Sequence, residues 1–225
     1  MIKIEKVEVV GLEHAIRGMR NPKNSWDRSD SSECNMSGDY ECKDCHRGIS
    51  DYCIGTNDFE LMTKLAKGGP VHAKYRRMIV VYLDITAPLY WWKEFDTYKV
   101  GTVSNSCSTM HKIHDKEFTL YDFSCEHLRG SAMNVFQDVI YWLNFYRDEY
   151  IQTKDKDYWW QMIQLLPSSY NQKRTVMLNY EVLHNMYHSR KNHKLDEWRE
   201  FCKWIKTLPY SEIITGSEKE LICNE

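Results

Sequence analysis

A chain of 225 residues with 42% hydrophobic content, eight Trp, fifteen Tyr and seven Phe has enough apolar material for one large domain, or one domain carrying an insertion. Its 30 basic and 32 acidic side chains leave a formal charge of −2, which gives no electrostatic case for a nucleic-acid polymer or an anionic membrane surface. No apolar run approaches the roughly 18 residues of a membrane span.

The opening MIKIEKVEVVGLEH does not read as a signal peptide, so the eight cysteines are expected as reduced thiols or metal ligands in a cytoplasmic protein. Ile2 to Val10 alternates apolar and charged residues and predicts a first strand. After Gly11, HAIRGMRNP predicts a helix ended by Pro22. Its Arg17 and Arg20 stand about one turn apart, either to grip an anion or as an ordinary solvated face.

From Asn21 to Ser50 the composition shifts to Ser, Asp, Asn, Gly and Cys, and residues 28–55 are expected to form a Cys-rich surface insertion. Cys34, Cys42, Cys45 and Cys53 follow the spacing C-x7-C-x2-C-x7-C, with His46 after the third. The x2 pair can place two thiolates on one metal, and the outer pair can complete a tetrahedron, giving a structural zinc with no open position. Free thiols or a disordered loop are the alternative.

Asn57-Asp58 is expected to cap a short helix with Phe59, Leu61, Met62 and Leu65 inward and Gly68-Gly69 as its stop. Tyr75 to Ile85 ends in MIVVYLDI, a buried-strand composition. Gly101 to Thr109 is rich in hydroxyl and amide side chains; beside Lys99 and His111 it reads as the lining of a site for a phosphorylated ligand, or as a solvated loop.

Ser131 begins the longest helix, ending near Thr153, with Met133, Phe136, Ile140, Leu143 and Tyr146 in one stripe. YWWQMIQLL predicts another, stopped by Pro167. A helix from Ser168 or Ser169 through Arg190 and a last one over Asp196 to Thr207 complete an α+β chain in which helices prevail around a small mixed sheet. Asn179, Asn185 and Arg190 are candidate ligand contacts; a backbone-satisfying role for Asn185 and a helix-dipole role for Arg190 compete with that. His127, His184 and His188 read as packing or surface histidines. Cys107 has no legible His–Asp partner that would make it a nucleophile.

These segments together resemble the flavin-dependent thymidylate synthases. Ala87-Pro88 is followed by Thr97-Tyr98-Lys99 where that family has Arg-His-Arg, and Thr102 stands at the Ser of its motif. Ser104, Asn105, Cys107 and Thr109 stand at Asn, Glu, Ser and Arg. Asn179, Asn185 and Arg190 keep the family's spacing, whereas Glu181 replaces an arginine. NHKLDEWRE and the GGPVH around His72 are similar to two further segments, so the likeness runs from Phe59 to Trp204.

The resemblance implies a single thymidylate-synthase-like domain over 1–225, a homotetramer with FAD where subunits meet, and reductive one-carbon transfer to C5 of a pyrimidine deoxynucleotide. Methylene-tetrahydrofolate would supply the carbon, and NADPH would reduce the flavin. By position, Tyr98, Lys99, Asn105, Asn179 and Asn185 would hold the cofactor. Lys99, Ser104, Cys107, Thr109 and Arg190 would hold the nucleotide, with Arg190 as the catalytic residue. Only Lys99 keeps its charge among the three places taken by Thr97, Lys99 and Thr109, which also suggests an alternative: a non-catalytic nucleotide-binding protein on the same scaffold.

Overall fold

The computed structural model describes residues 2–34, 49–50 and 52–216. Two compact units emerge, one of Met1–Ile4, Ile85–Thr97 and Asn105–Thr175, the other of Glu5–Asp84, Tyr98–Ser104 and Val176–Glu225. A four-stranded sheet has the order β1-β4-β6-β5, formed by β1 (Lys3–Val10), β4 (Val80–Pro88), β5 (Thr102–Ser106) and β6 (Asn171–Asn179). Each of these strands contributes a segment to both units. The class is α+β with helices prevailing, as the sequence indicates. No helix among the described residues is long and apolar enough to cross a membrane.

In the first unit, α4 (Ser131–Thr153) follows its expected bounds, and the stripe buries Phe136, Ile140 and Leu143 with Ile113, Phe118, Phe123 and Met162. Met162 comes from α5 (Lys156–Leu165), whose N-cap Asp155 accepts a hydrogen bond from the Asp157 amide. The short α3 (Leu89–Phe95) buries Trp91, Trp92 and Phe95 completely or nearly so. Trp92 donates its indole N–H to the Gln172 carbonyl, and Arg174 lies 4.2 Å over the Trp92 ring while bonding Asp96 at 2.7 Å.

In the second unit, α1 (Leu12–Arg20), α2 (Thr56–Lys67), α6 (Tyr180–Arg190), α7 (Asp196–Ile205) and α8 (Glu212–Thr215) contribute Leu12, Met62, Tyr180, Leu183, Trp198 and Phe201 to the core. A two-stranded ladder of β2 (Ser32–Glu33) and β3 (Tyr52–Cys53) pairs Ser32 with Cys53 antiparallel and forms the stem of the Cys-rich segment.

Four expectations are corrected. The span from Ser168 to Arg190 is not one helix: NQKRTVMLN is β6, in which Gln172, Val176 and Leu178 are buried at even spacing, and α6 starts only at Tyr180. A period of two over nine residues suits a pleated strand, and Asn179, extended at φ −120°, closes it and caps the helix. Residues 102–106 are not a loop but β5, at the end of the sheet order, where small polar residues suit an edge.

The strand expected at the MIVVYLDI end of Tyr75–Ile85 begins at Val80, because Ala73–Met78 winds as a 3-10 helix. Asn57 and Asp58 do not cap α2, which starts at Thr56. The Asp30 carboxylate accepts from the Asn57 and Asp58 amides instead (2.9 and 3.1 Å), supplying the cap from a distant loop.

Candidate functional site

Arg20 is neither anion clamp nor solvated face. It is buried, and its Nε bonds Asp58 Oδ1 at 2.6 Å while the two Nη groups donate to the Ser25 and Arg28 carbonyls. Asp58 Oδ2 accepts in turn from the Ser29 and Ser31 hydroxyls and the Asp30 amide. Burial by itself would raise the Asp58 pKa; the hydrogen bonds from Ser29, Ser31, Arg20 and Asp30 outweigh it and hold the carboxyl below its ordinary range. This network fixes the stem of the Cys-rich segment. Cys34 and Cys53 are half-buried near that stem, whereas Cys42, Cys45 and His46 lie outside the described residues. Among the described residues no group of three or more metal-ligating side chains converges.

Two pairs of the expected ligand residues and their neighbours meet within the second unit. Arg190, the last residue of α6, donates from Nε to the Tyr98 hydroxyl at 3.0 Å. Its guanidinium carbon lies 5.7 Å from the Tyr98 ring centre and 5.0 Å from that of Trp198. Asn179 Oδ1 accepts from the Val182 amide at 3.0 Å as the N-cap of α6, and a Cβ built on Gly101 would stand 2.7 Å from Asn179 Nδ2. The Asn179 side-chain oxygen is thus committed to the strand–helix junction. Asn185, Lys99 and Ser104 are exposed. Asn105, Cys107 and Thr109 belong to the first unit, where the Cys107 amide bonds the Lys173 carbonyl and its own carbonyl accepts from Gln172 Nε2.

Glu181, at the position of a family arginine, turns inward and faces buried Arg76 at 3.5 Å. His184 contacts the Ile214 carbonyl through Nδ1 at 2.7 Å and packs against His188, with ring centres 4.4 Å apart, in keeping with a packing role.

Sequence reasoning passed over one feature, a cleft of about 1570 Å3 in the second unit. It runs beside the end of α1, the segment after it, α2 and the Ala73–Met78 turn, and is lined by Lys23, Arg28, Lys64, His72, Lys74 and Arg77 against Asp27 and Glu60. That surplus of cations in a chain of net −2 makes the cleft a local anion attractor. The signal available in the sequence was the basic cluster in HAKYRRM, which the backbone places beside α1 and α2.

The fold is similar to that of solved flavin-dependent thymidylate synthase structures. No protein-family model matches the sequence, and no curated protein does. Among solved structures, the chain is similar to thymidylate synthase X (ThyX) from Helicobacter pylori with FAD and dUMP, at a TM-score of 0.66 and 15% identity over 95% of this chain and 96% of that one. A second Helicobacter pylori ThyX structure, also complexed with FAD and dUMP, gives 0.66 and 16% over 96% and 100%. A UMP/dUMP methylase, PolB from Streptomyces cacaoi, bound with 5-Br dUMP, gives 0.60 and 13% over 96% and 95%. At these identities the likeness shows the fold.

Proposed function

We propose that this chain is a flavin-dependent thymidylate-synthase-like enzyme of the cytoplasm, transferring a one-carbon unit reductively from methylene-tetrahydrofolate to C5 of a deoxyuridylate-type nucleotide. NADPH would be the reductant. The match of fold over nearly the whole of both chains, to proteins whose structures hold FAD and dUMP, supports this reading.

The residues present fit FAD. A pyrophosphate-bearing cofactor needs a groove with several cations, and the cleft lined by Lys23, Arg28, Lys64, Lys74 and Arg77 would supply them. FAD, when bound, would supply the redox chemistry. Within the second unit the chain's own groups would then divide the binding work. The cleft lysines and arginines would neutralise phosphates, Asn185 would offer an amide from α6, and Lys99, Ser104 and Arg190 would orient the nucleotide. Asn179 would act through the helix it caps. No protein nucleophile is required.

The Cys-rich insertion we propose to be stapled by structural zinc on Cys34, Cys42, Cys45 and Cys53, a reading that rests on their spacing. One preparation tests cofactor and metal together. The purified protein is expected to carry a flavin absorbance band, or to acquire it with FAD, and to contain one zinc per chain by elemental analysis. A sample that stays colourless after FAD addition overturns the enzyme reading; a metal-free sample overturns the staple.

A second reading, a nucleotide-binding protein without turnover, is favoured by Glu181, buried opposite Arg76 where an arginine would stand in the family. Turnover of dUMP with methylene-tetrahydrofolate and NADPH would exclude it.

The proposed homotetramer has a contact face available on α4, where Val135, Tyr141, Trp142 and Phe145 are exposed. Apolar aromatic surface on one helix is the usual material of an obligate interface. Sedimentation of the parent chain should give the tetramer, and the W142E/F145E variant should give smaller species. An unchanged mass would remove this face from the interface.

A further inference from the structure

Three elements converge on Arg190. It ends α6; Tyr98 follows α3; Trp198 lies on α7 and is fully buried. The Tyr98 hydroxyl accepts from Nε, so the hydrogen bond fixes the guanidinium by its stem-side nitrogen. The Tyr98 and Trp198 rings, with centres 6.0 Å apart and planes 61° to each other, form two walls beside it. Charge at a helix C-terminus needs only proximity to the last carbonyls. A buried indole and a tyrosine hydroxyl on the same guanidinium add orientation, which a dipole role does not use. Cys202 lies in the same surroundings, and burial pushes its thiol up to about 11 while Arg190 opposes that rise.

We propose that Tyr98 and Trp198 are positioning residues, which set the plane of the Arg190 guanidinium for an oxyanion or imide face of a pyrimidine nucleotide. The nucleotide class rests on the function proposed above; the positioning rests on the geometry. An arginine loses much side-chain freedom when it grips a ligand, and a guanidinium already held between two rings loses less of it on binding. The Tyr98 hydroxyl therefore acts on Arg190.

The experiment uses the full chain and four proteins: parent, Y98F, R190A and Y98F/R190A. Y98F keeps the ring and deletes only the hydroxyl. By calorimetry, Y98F is expected to weaken dUMP binding by roughly tenfold to a hundredfold, the scale of one hydrogen bond to a charged group, while the chain stays folded. Adding Y98F to R190A should cost no further affinity, because the hydroxyl works through Arg190. Y98F binding as the parent does, or losses that multiply in the double variant, would overturn the positioning role.

A second readout needs no nucleotide. The Arg190 Nε–H resonance of the parent should be displaced by the neighbouring rings and should move on Y98F substitution. A signal at the position of a free arginine, unmoved by Y98F, overturns the proposal by itself. A parent chain that binds no dUMP while this signal is in place instead removes the nucleotide reading.

Discussion

Asp58→Ala should lower stability by about 3–5 kcal/mol, because it leaves Arg20 charged and buried with its strongest partner gone. The side chains of Arg20 and Asp58 are 4% and 0% exposed, so water cannot replace the lost carboxylate. The hydroxyls of Ser29 and Ser31 and the Asp30 amide lose their common acceptor in the same step. For a chain of this length each kcal/mol moves the melting temperature by roughly 2–4 °C, so a fall on the order of 10 °C is expected by calorimetric scanning. A fall of less than about 3 °C would show that the network contributes little. R20M/D58L, which removes both charges, should be more stable than Asp58→Ala, since an apolar pair leaves no buried ion.

The same carboxylate sets a pH dependence. Its pKa is depressed in the folded chain, so the unfolded chain binds the proton first as pH falls. Its contribution is therefore complete at neutral pH and is lost as pH drops below the ordinary carboxylate range, through the folded value. The stability difference between parent and Asp58→Asn should be largest at neutral pH and should shrink in acid. A difference that grows on acidification would contradict the assignment.

Gly11→Ala is the second large effect. Gly11 caps the N-terminus of α1 at φ 89°, and a Cβ there would stand 2.2 Å from the Met78 backbone oxygen. The left-handed conformation costs a non-glycine residue about 1–2 kcal/mol, and the clash must then be relieved by moving backbone, not a flexible side chain. A total loss of about 3 kcal/mol or more is expected, measured by denaturant unfolding. Met78 ends the 3-10 turn that carries Lys74 and Arg77 into the cationic cleft, so any bound FAD should be weakened as well. Gly69→Ala is the internal control. It has a similar φ of 89° but no atom within 4 Å of a built Cβ, so it should show the conformational cost alone. Equal losses at the two glycines would rule out the Met78 contact as the cause.

What the sequence determined by itself is what local pattern controls. The alternation of Lys3–Val10, the stripe on α4 and the start of α7 at Asp196 follow from periods of two and of three to four, each tied to side-chain burial on one face. The fold family was legible too, through the spacing of Ala87-Pro88, the polar run to Thr109 and the later Asn179, Asn185 and Arg190.

Tertiary structure decided the rest, because it depends on partners distant in sequence. Asn171–Asn179 carries enough helix-compatible residues to extend a helix backward from Arg190, and pairing within the sheet makes it a strand. The α2 cap comes from Asp30, 27 and 28 residues before the amides it serves, and no local motif encodes that distance. Arg20 reads as a surface cation until Asp58, 38 residues on, meets it in the interior. Arg190 likewise needed Tyr98, 92 residues earlier, to become an oriented guanidinium instead of a helix-end charge. A charged side chain's role is set by what desolvates and pairs with it, and that is a property of the folded chain.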